Sequence, residues 1–378
     1  MKTILVNAYT AMNLGDDLFL KILLERYPQI CFRIIADKVY ADILPYSNIQ
    51  CIPPPLNSFA ERGMMKISSI LHEKLYHKMY VLLWKKFFQR EVKKADAFLW
   101  IGGSVFMQYE DSYRARIKME ENIVTIFKHK KKYITGANFG PYSNDIFRSS
   151  FERIFSSYTD ICFRDKKSYD LFPLLSNTRY APDIVFQLKL PEVTPRVGTV
   201  GFSVMDFSAH DDLKQYSEPY SEIICKLINR HLMQKDKVTL ISFCKEQGDE
   251  EIIERIIQSF PGNIRTGISV LKYTGNIDSF LREYSELTYM YATRFHSIVL
   301  SLSAKQKIYP FIYSEKAMHL LRDLHYTGKY SYIKDLGKTS VEEIFSGLIN
   351  NSDFIIPDKI GNDAMAQFRE LDIFAYEQ

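Results

Sequence analysis

Short apolar runs that end in glycine or a polar turn, each followed by a stretch of helical periodicity, recur along most of this 378-residue chain. That alternation is the strongest constraint on the fold. A strand, a helix and a second strand of the same direction close as a right-handed crossover, and repeating the unit builds a parallel sheet covered on both faces. Strands are expected at 3–7, 31–36, 97–101, 133–135 and 161–163, with helices at 16–26, 120–130 and 145–155 and a short one from Lys166. Phe147, Phe151, Ile154 and Phe155 fall on one helical face, the signature of an amphipathic helix. The alternation then breaks at 188–197, where LKLPEVTPRV carries two prolines and reads as a linker. It restarts with strands at 198–204, 238–243, 287–291 and 308–312 and helices at 218–233, 249–260, 276–284, from Arg294 and from Ser314.

The length is too great for one ordinary core, so two domains are expected, 1–187 and 198–340, with 341–378 as a terminal segment. Two doubly wound halves joined by one linker form a cleft, and ligands of such sheets bind beyond the carboxyl ends of the strands. A net charge of +4 with a pI near 8.5 gives no case for a nucleic-acid binder. The 25 tyrosines and 26 phenylalanines are numerous enough to need a use. Core filling and a half-buried sugar-handling surface both remain open. Cys31, Cys51, Cys162, Cys225 and Cys244 are odd in number and widely spaced, which fits isolated buried thiols rather than disulfides or a zinc site. The start, MKTILVNAY, has no long apolar region, and no run approaches a membrane span. A cytoplasmic protein, or one peripheral on the inner face of the cell membrane, is expected.

Residues 62–94 stand apart. They hold nine cationic and two acidic residues, a net +7, interleaved with Leu71, Leu75, Leu82, Trp84, Phe87 and Phe88. A basic helix of this kind either lies on an anionic membrane surface or packs on the sheet with a solvated outer face.

The sharpest chemical signal is Thr293-Arg294-Phe295-His296, which follows the strand LTYMY and opens an apolar helix. Thr293 is placed as its N-cap. The first turn attracts anions, Arg294 offers a bidentate fork, and His296 carries a proton that titrates near neutrality. Lys316 starts the next helix, after the next strand, so Arg294, His296 and Lys316 should open on one sheet edge. The alternative is an ordinary polar helix start and a surface lysine. In the first half, Asn13-Leu14-Gly15-Asp16-Asp17, Gly102-Gly103-Ser104 and Gly136 to Pro141 all follow strands. Asp16 is a candidate helix cap, and Asn13 and Asp16 can bond sugar hydroxyls. Arg164-Asp165 follows another strand, and Arg164 is either salt-bridged to a neighbour or a further anion contact. No metal pattern, P-loop or G-x-S-x-G elbow is present.

Taken in order, Asn13 to Asp16, Gly102-Gly103-Ser104, Gly136 to Pro141, Arg164-Asp165 with Ser168, Pro182-Asp183, Arg294-Phe295-His296 and Tyr313 to Lys316 resemble the polysaccharide pyruvyl transferase family. The resemblance implies a GT-B-like α/β fold of two Rossmann-like domains facing a cleft, with 341–378 crossing back to the N-terminal domain. It implies transfer of a pyruvyl group from phosphoenolpyruvate to two hydroxyls of one sugar, giving a ketal and phosphate. The acceptor would be a cell-surface polysaccharide or its lipid-linked precursor. Arg164, Thr293, Arg294, His296 and Lys316 would hold the donor, with Arg294, His296 and Lys316 catalytic. Asn13, Asp16, Gly103, Ser104 and Asn138 would face the acceptor. The scheme requires no metal or redox cofactor.

Two other classes fit the same elements. One is a GT-B glycosyltransferase using a nucleotide sugar, for which Glu315 and Asp323 loosely echo an acidic pair. The other is a non-catalytic glycan-binding protein, which would have no need of Arg294, His296 and Lys316.

Overall fold

The computed structural model describes residues 1–55, 73–109, 112–208, 211–350 and 354–377. Their backbone forms two parallel sheets. The first joins β1 (Thr3–Asn7), β2 (Cys31–Ile35), β3 (Ile49–Ile52), β4 (Ala97–Ile101), β5 (Lys131–Ala137), β6 (Asp160–Phe163) and β7 (Thr178–Tyr180) in the order β3-β2-β1-β4-β5-β6-β7. The second joins β8 (Thr199–Ser203), β9 (Lys237–Ser242), β10 (Ile268–Lys272), β11 (Tyr289–Ala292), β12 (Lys307–Ile312) and β13 (Ser331–Tyr332) in the order β10-β9-β8-β11-β12-β13. Strands covered on both faces must be apolar on both. Accordingly, every residue of β4, AFLWI, and of β8, TVGFS, is buried.

The chain's contacts divide it into two compact units. One comprises Met1–Thr10, Phe19–Ile184 and Asp363–Gln378, and the other Ala11–Leu18 and Val185–Asn362. The helix Val341–Asn350 therefore belongs to the second unit, and the chain rejoins the first only at Asp363.

The first unit's core is largely phenylalanine. Phe139 meets Phe172 edge-on at 4.9 Å, and Phe147, Phe151 and Phe155 make tilted ring contacts along the helix Asp145–Phe155. These rings bury large apolar areas. Tyr27, Tyr40, Tyr220, Tyr284 and Tyr291 are also fully buried, so core filling is the use of at least these tyrosines. The unit is closed by residue 367. The buried side-chain oxygen of Gln367 accepts from the Gly136 N–H at 2.9 Å, and its amide donates to the carbonyls of Ala181 at 2.7 Å and Pro182 at 3.1 Å. Arg26 grips Asp372 through two bonds of 2.9 and 2.7 Å.

Several sequence expectations are corrected. The helix expected at 120–130 runs Tyr113–Ile126, because its polar first half hid the start. Strands β3, β10 and β13 were not foreseen; all three are edge strands, β3 and β10 with exposed residues breaking the apolar run and β13 only two residues long. Of the five free cysteines, Cys162 and Cys244 are buried, while Cys31, Cys51 and Cys225 are half-buried. The basic stretch forms a helix, Glu73–Glu91, and a short turn, Val92–Lys94, while 62–72 lies outside the described residues. Phe87 and Phe88 face the core. Leu75 and Leu82 are 40% and 49% exposed, beside exposed Lys78, Lys85, Lys86, Lys93 and Lys94. No described helix is long and apolar enough to cross a membrane.

Candidate active site

The order of the second sheet reverses between β8 and β11, and the carboxyl ends of two such strands open a crevice. Ser203, at the end of β8, accepts the N–H groups of Thr293 and Arg294 at 3.1 Å each, which locks the two strand ends together. The helix Phe295–Ser303 begins there, with Arg294 in the N-cap position and no side chain capping it. Thr293 is therefore not the cap. Its hydroxyl turns into the core and shares a 2.9 Å hydrogen bond with the Tyr220 hydroxyl, since a buried hydroxyl needs a partner.

Arg294 is almost wholly buried and already charge-matched. Its guanidinium bonds the carboxylate of Asp249 and the side-chain oxygen of Gln247. The other oxygen of Asp249 accepts the N–H groups of Phe243 at 2.8 Å and Cys244 at 3.0 Å. Burial pushes the Asp249 carboxyl above its ordinary range, only partly offset by Arg294 and these N–H groups. Among the described residues, Nε of Arg294 has no hydrogen-bond partner.

The segment Ala11–Leu18, a turn and the start of a helix, completes this unit. Met12 turns the chain through a left-handed conformation, φ 50°. Asn13, not Asp16, caps the helix Leu14–Arg26, accepting the Gly15 N–H at 3.1 Å, while Asp16 sits half-exposed in the first turn. The Leu14 N–H donates to the Phe243 carbonyl at 3.1 Å, and the Tyr273 hydroxyl donates to the buried Asp17 at 2.7 Å. These bonds press the Gly15 backbone against the half-buried His296 ring. A methyl at Gly15 would come within 2.5 Å of Cε1 of His296 and closer still to Nδ1 and Cγ.

Lys316 lies in the first turn of the helix Glu315–Asp323. Its ammonium is 6.0 Å from the Phe295 ring centroid and 5.9 Å from that of Tyr313. Arg294, His296 and Lys316 are thus gathered at the ends of β11 and β12. Tyr313 belongs to the same group. Burial would raise its phenol, but the charges of Lys316 and Arg294 outweigh that, and the phenol lies below its ordinary value.

A second cluster forms in the first unit, beyond β4, β5 and β6. Arg164, 5% exposed, donates to Asp183 at 3.0 Å and to the side-chain oxygen of Asn138 at 2.8 Å. Ser104 donates to the same Asn138 oxygen at 3.4 Å. Gly103 has no side chain because the guanidinium occupies that space, with Nη1 2.6 Å from where a Cβ would stand. Asp165 caps the helix Lys166–Asp170 and holds the Ser168 hydroxyl, which accepts the Phe139 N–H at 2.8 Å. The sequence offered a salt bridge from Arg164 to Asp165 or another neighbour; the partner is Asp183.

The residues singled out from the sequence therefore fall into two groups. Asn13, Asp16, Thr293, Arg294, His296 and Lys316 belong to the second unit, and Gly103, Ser104, Asn138 and Arg164 to the first. Sequence reasoning missed Asp249, Gln247 and Ser203. Asp249 opens DEE, which reads only as an acidic helix start. Tyr313 and Asp183 stood inside quoted motifs without a role.

The family model described as polysaccharide pyruvyl transferase matches residues 13–315. No curated protein matches the sequence significantly. Among solved structures, UDP-GlcNAc 2-epimerase from Methanocaldococcus jannaschii, in complex with UDP-GlcNAc and UDP, superposes with a TM-score of 0.61 at 12% identity, covering 100% of both chains. A putative UDP-N-acetylglucosamine 2-epimerase from Listeria monocytogenes gives 0.56 at 8% identity, covering 99% of this chain and 98% of the other. Anabaena Alr3699/HepE in complex with UDP gives 0.53 at 9%, covering 99% of each. At these identities the likeness is one of fold, and the fold is GT-B.

Proposed function

The chain belongs to the polysaccharide pyruvyl transferase family, and from that premise we propose that it transfers the pyruvyl group of phosphoenolpyruvate to two hydroxyls of a sugar, forming a ketal and releasing phosphate. The observation that carries the reading is the gathering of Arg294, His296 and Lys316 at the ends of β11 and β12. The donor brings a carboxylate and a phosphate. Two helix N-termini and the Lys316 ammonium supply the complementary charge. Arg294 is already matched by Asp249, so its contribution is a rigid positive wall with Nε to offer, and Lys316 makes the main charge contact. His296, held against Gly15, protonates the donor methylene. The central carbon then becomes oxocarbenium-like, hydroxyl oxygens attack it, and phosphate departs. In the first unit, Gly103, Ser104 and Asn138 are assigned to the acceptor, while Arg164 is already paired with Asp183.

The exposed lysines of the helix Glu73–Glu91 and the turn after it favour an acceptor carried on an anionic lipid surface, with the protein peripheral on the inner face of the membrane. The direct test is phosphate release from phosphoenolpyruvate across a panel of free and lipid-linked sugars, with product mass. Acceptor-dependent release with the mass gain of one pyruvate ketal supports the reading. Binding of a nucleotide sugar, with none of phosphoenolpyruvate, overturns it.

A further inference from the structure

The proposed reaction makes two C–O bonds, and each hydroxyl gives up a proton. One proton ends on the donor methylene and the other leaves on phosphate. A single imidazole cannot be charged to protonate the methylene and neutral to receive a hydroxyl proton at the same moment. A second proton-handling group near His296 would let the two transfers run together.

We propose that Tyr313, as its phenolate, is that second group, accepting the acceptor hydroxyl's proton while His296 protonates the donor. The assignment rests on the pyruvyl-transfer reading of this site. Tyr313 follows β12, the neighbour of β11, so it stands on the same sheet edge as Arg294 and His296. It is half-buried, with its ring 5.7 Å from that of Phe207. The Lys316 ammonium bonds it, and Arg294, itself paired with Asp249, adds a second positive charge. The contrast with the other tyrosines is instructive. Burial raises Tyr27, Tyr158, Tyr220, Tyr284 and Tyr291. Tyr313 is shifted downward instead, because two cations act on it.

The steps balance. The first hydroxyl's O–H bond breaks, its proton passes to the Tyr313 phenolate, and its electron pair forms the bond to the donor's central carbon. The donor's C=C pair takes the His296 proton. The C–O bond to phosphate then breaks with its pair, and phosphate receives the proton held on Tyr313. The second hydroxyl attacks the same carbon and returns its proton to His296.

Two measurements on Tyr313→Phe test this. Spectrophotometric titration of the protein without substrates should show one tyrosine ionising before the rest. That early step should disappear in Tyr313→Phe and move to higher pH in Lys316→Met. In the phosphate-release assay, Tyr313→Phe should lose about 10²–10⁴-fold in kcat with the phosphoenolpyruvate KM changed only a few-fold. It should also lose the rise of kcat with pH expected of the wild type. An unchanged melting temperature excludes a folding defect. Absence of the early titration step, or wild-type turnover by Tyr313→Phe, overturns the role of Tyr313 while leaving pyruvyl transfer standing. A wild-type chain inert toward phosphoenolpyruvate overturns both.

Discussion

Gly15 is where one added methyl separates position from presence. Its backbone is not left-handed, and it lies in the first turn of a helix. Alanine is therefore tolerated by the backbone, and helix propensity favours it by up to about 1 kcal/mol. The methyl would nevertheless fall 2.5 Å from Cε1 of His296, where ordinary carbon contacts need about 3.5–4.0 Å. Nδ1 and Cγ lie closer still, so the ring must withdraw by more than about 1–1.5 Å. A 1 Å misplacement of a reacting group costs about 10²-fold, or about 2.7 kcal/mol of barrier. Gly15→Ala should thus lower kcat in the phosphate-release assay by at least about 10²-fold. Placed on His296→Ala, the same change should have little further effect, since there is no ring left to displace. Full activity in Gly15→Ala, or equal losses on both backgrounds, would refute the argument that Gly15 sets the position of His296.

Other expectations follow from the same contacts. Asp183→Ala leaves the buried Arg164 guanidinium without its counter-ion and should cost about 3–5 kcal/mol in denaturant unfolding; a loss under 1 kcal/mol would mean that solvent or another group takes over. Lys316→Met should raise the phosphoenolpyruvate KM about 10–100-fold, the equivalent of one charge-assisted contact, and an unchanged KM would remove Lys316 from the donor site. Replacing Lys85, Lys86, Lys93 and Lys94 by glutamine should abolish co-sedimentation with anionic vesicles, and unaltered sedimentation would return that helix to a solvated surface. Burial holds the His231 imidazole below its ordinary 6.5, outweighing Asp236. The unfolded chain then binds the proton more readily, so this contribution to stability is full above about pH 6.5 and declines as pH falls below it. His231→Gln should flatten that part of the pH–stability curve, and an identical slope would disprove it.

The sequence made the alternation legible because central parallel strands are apolar throughout; β4 and β8 could hardly be read otherwise. Edge strands gave no such signal. In β10, Ser269, Val270 and Lys272 are exposed, and the pattern dissolves into what looks like a loop. The site was legible as far as residue type and strand end could take it, so Arg294, His296 and Lys316 were found as a group. What burial and long-range pairing decide was hidden. Arg294 and Asp249 are 45 residues apart, and nothing in either neighbourhood announces that they meet. The cap at residue 293 failed for the same reason: a threonine before a helix is a sound local reading until a buried tyrosine hydroxyl 73 residues away claims it.

The Gln367 contact has a bearing on how the protein is made. Its amide donates to the Ala181 carbonyl across 186 residues. A ribosome adding about 5–20 residues per second needs roughly 10–40 s to reach it. For that interval the first sheet has emerged, yet the Gly136 N–H and the carbonyls of Ala181 and Pro182 lack the side chain that satisfies them. The first unit is thus a late finisher despite being translated first. Released chains truncated before residue 363 should be cleaved by protease, and retained by holdase chaperones, more than released chains that extend past Asp372.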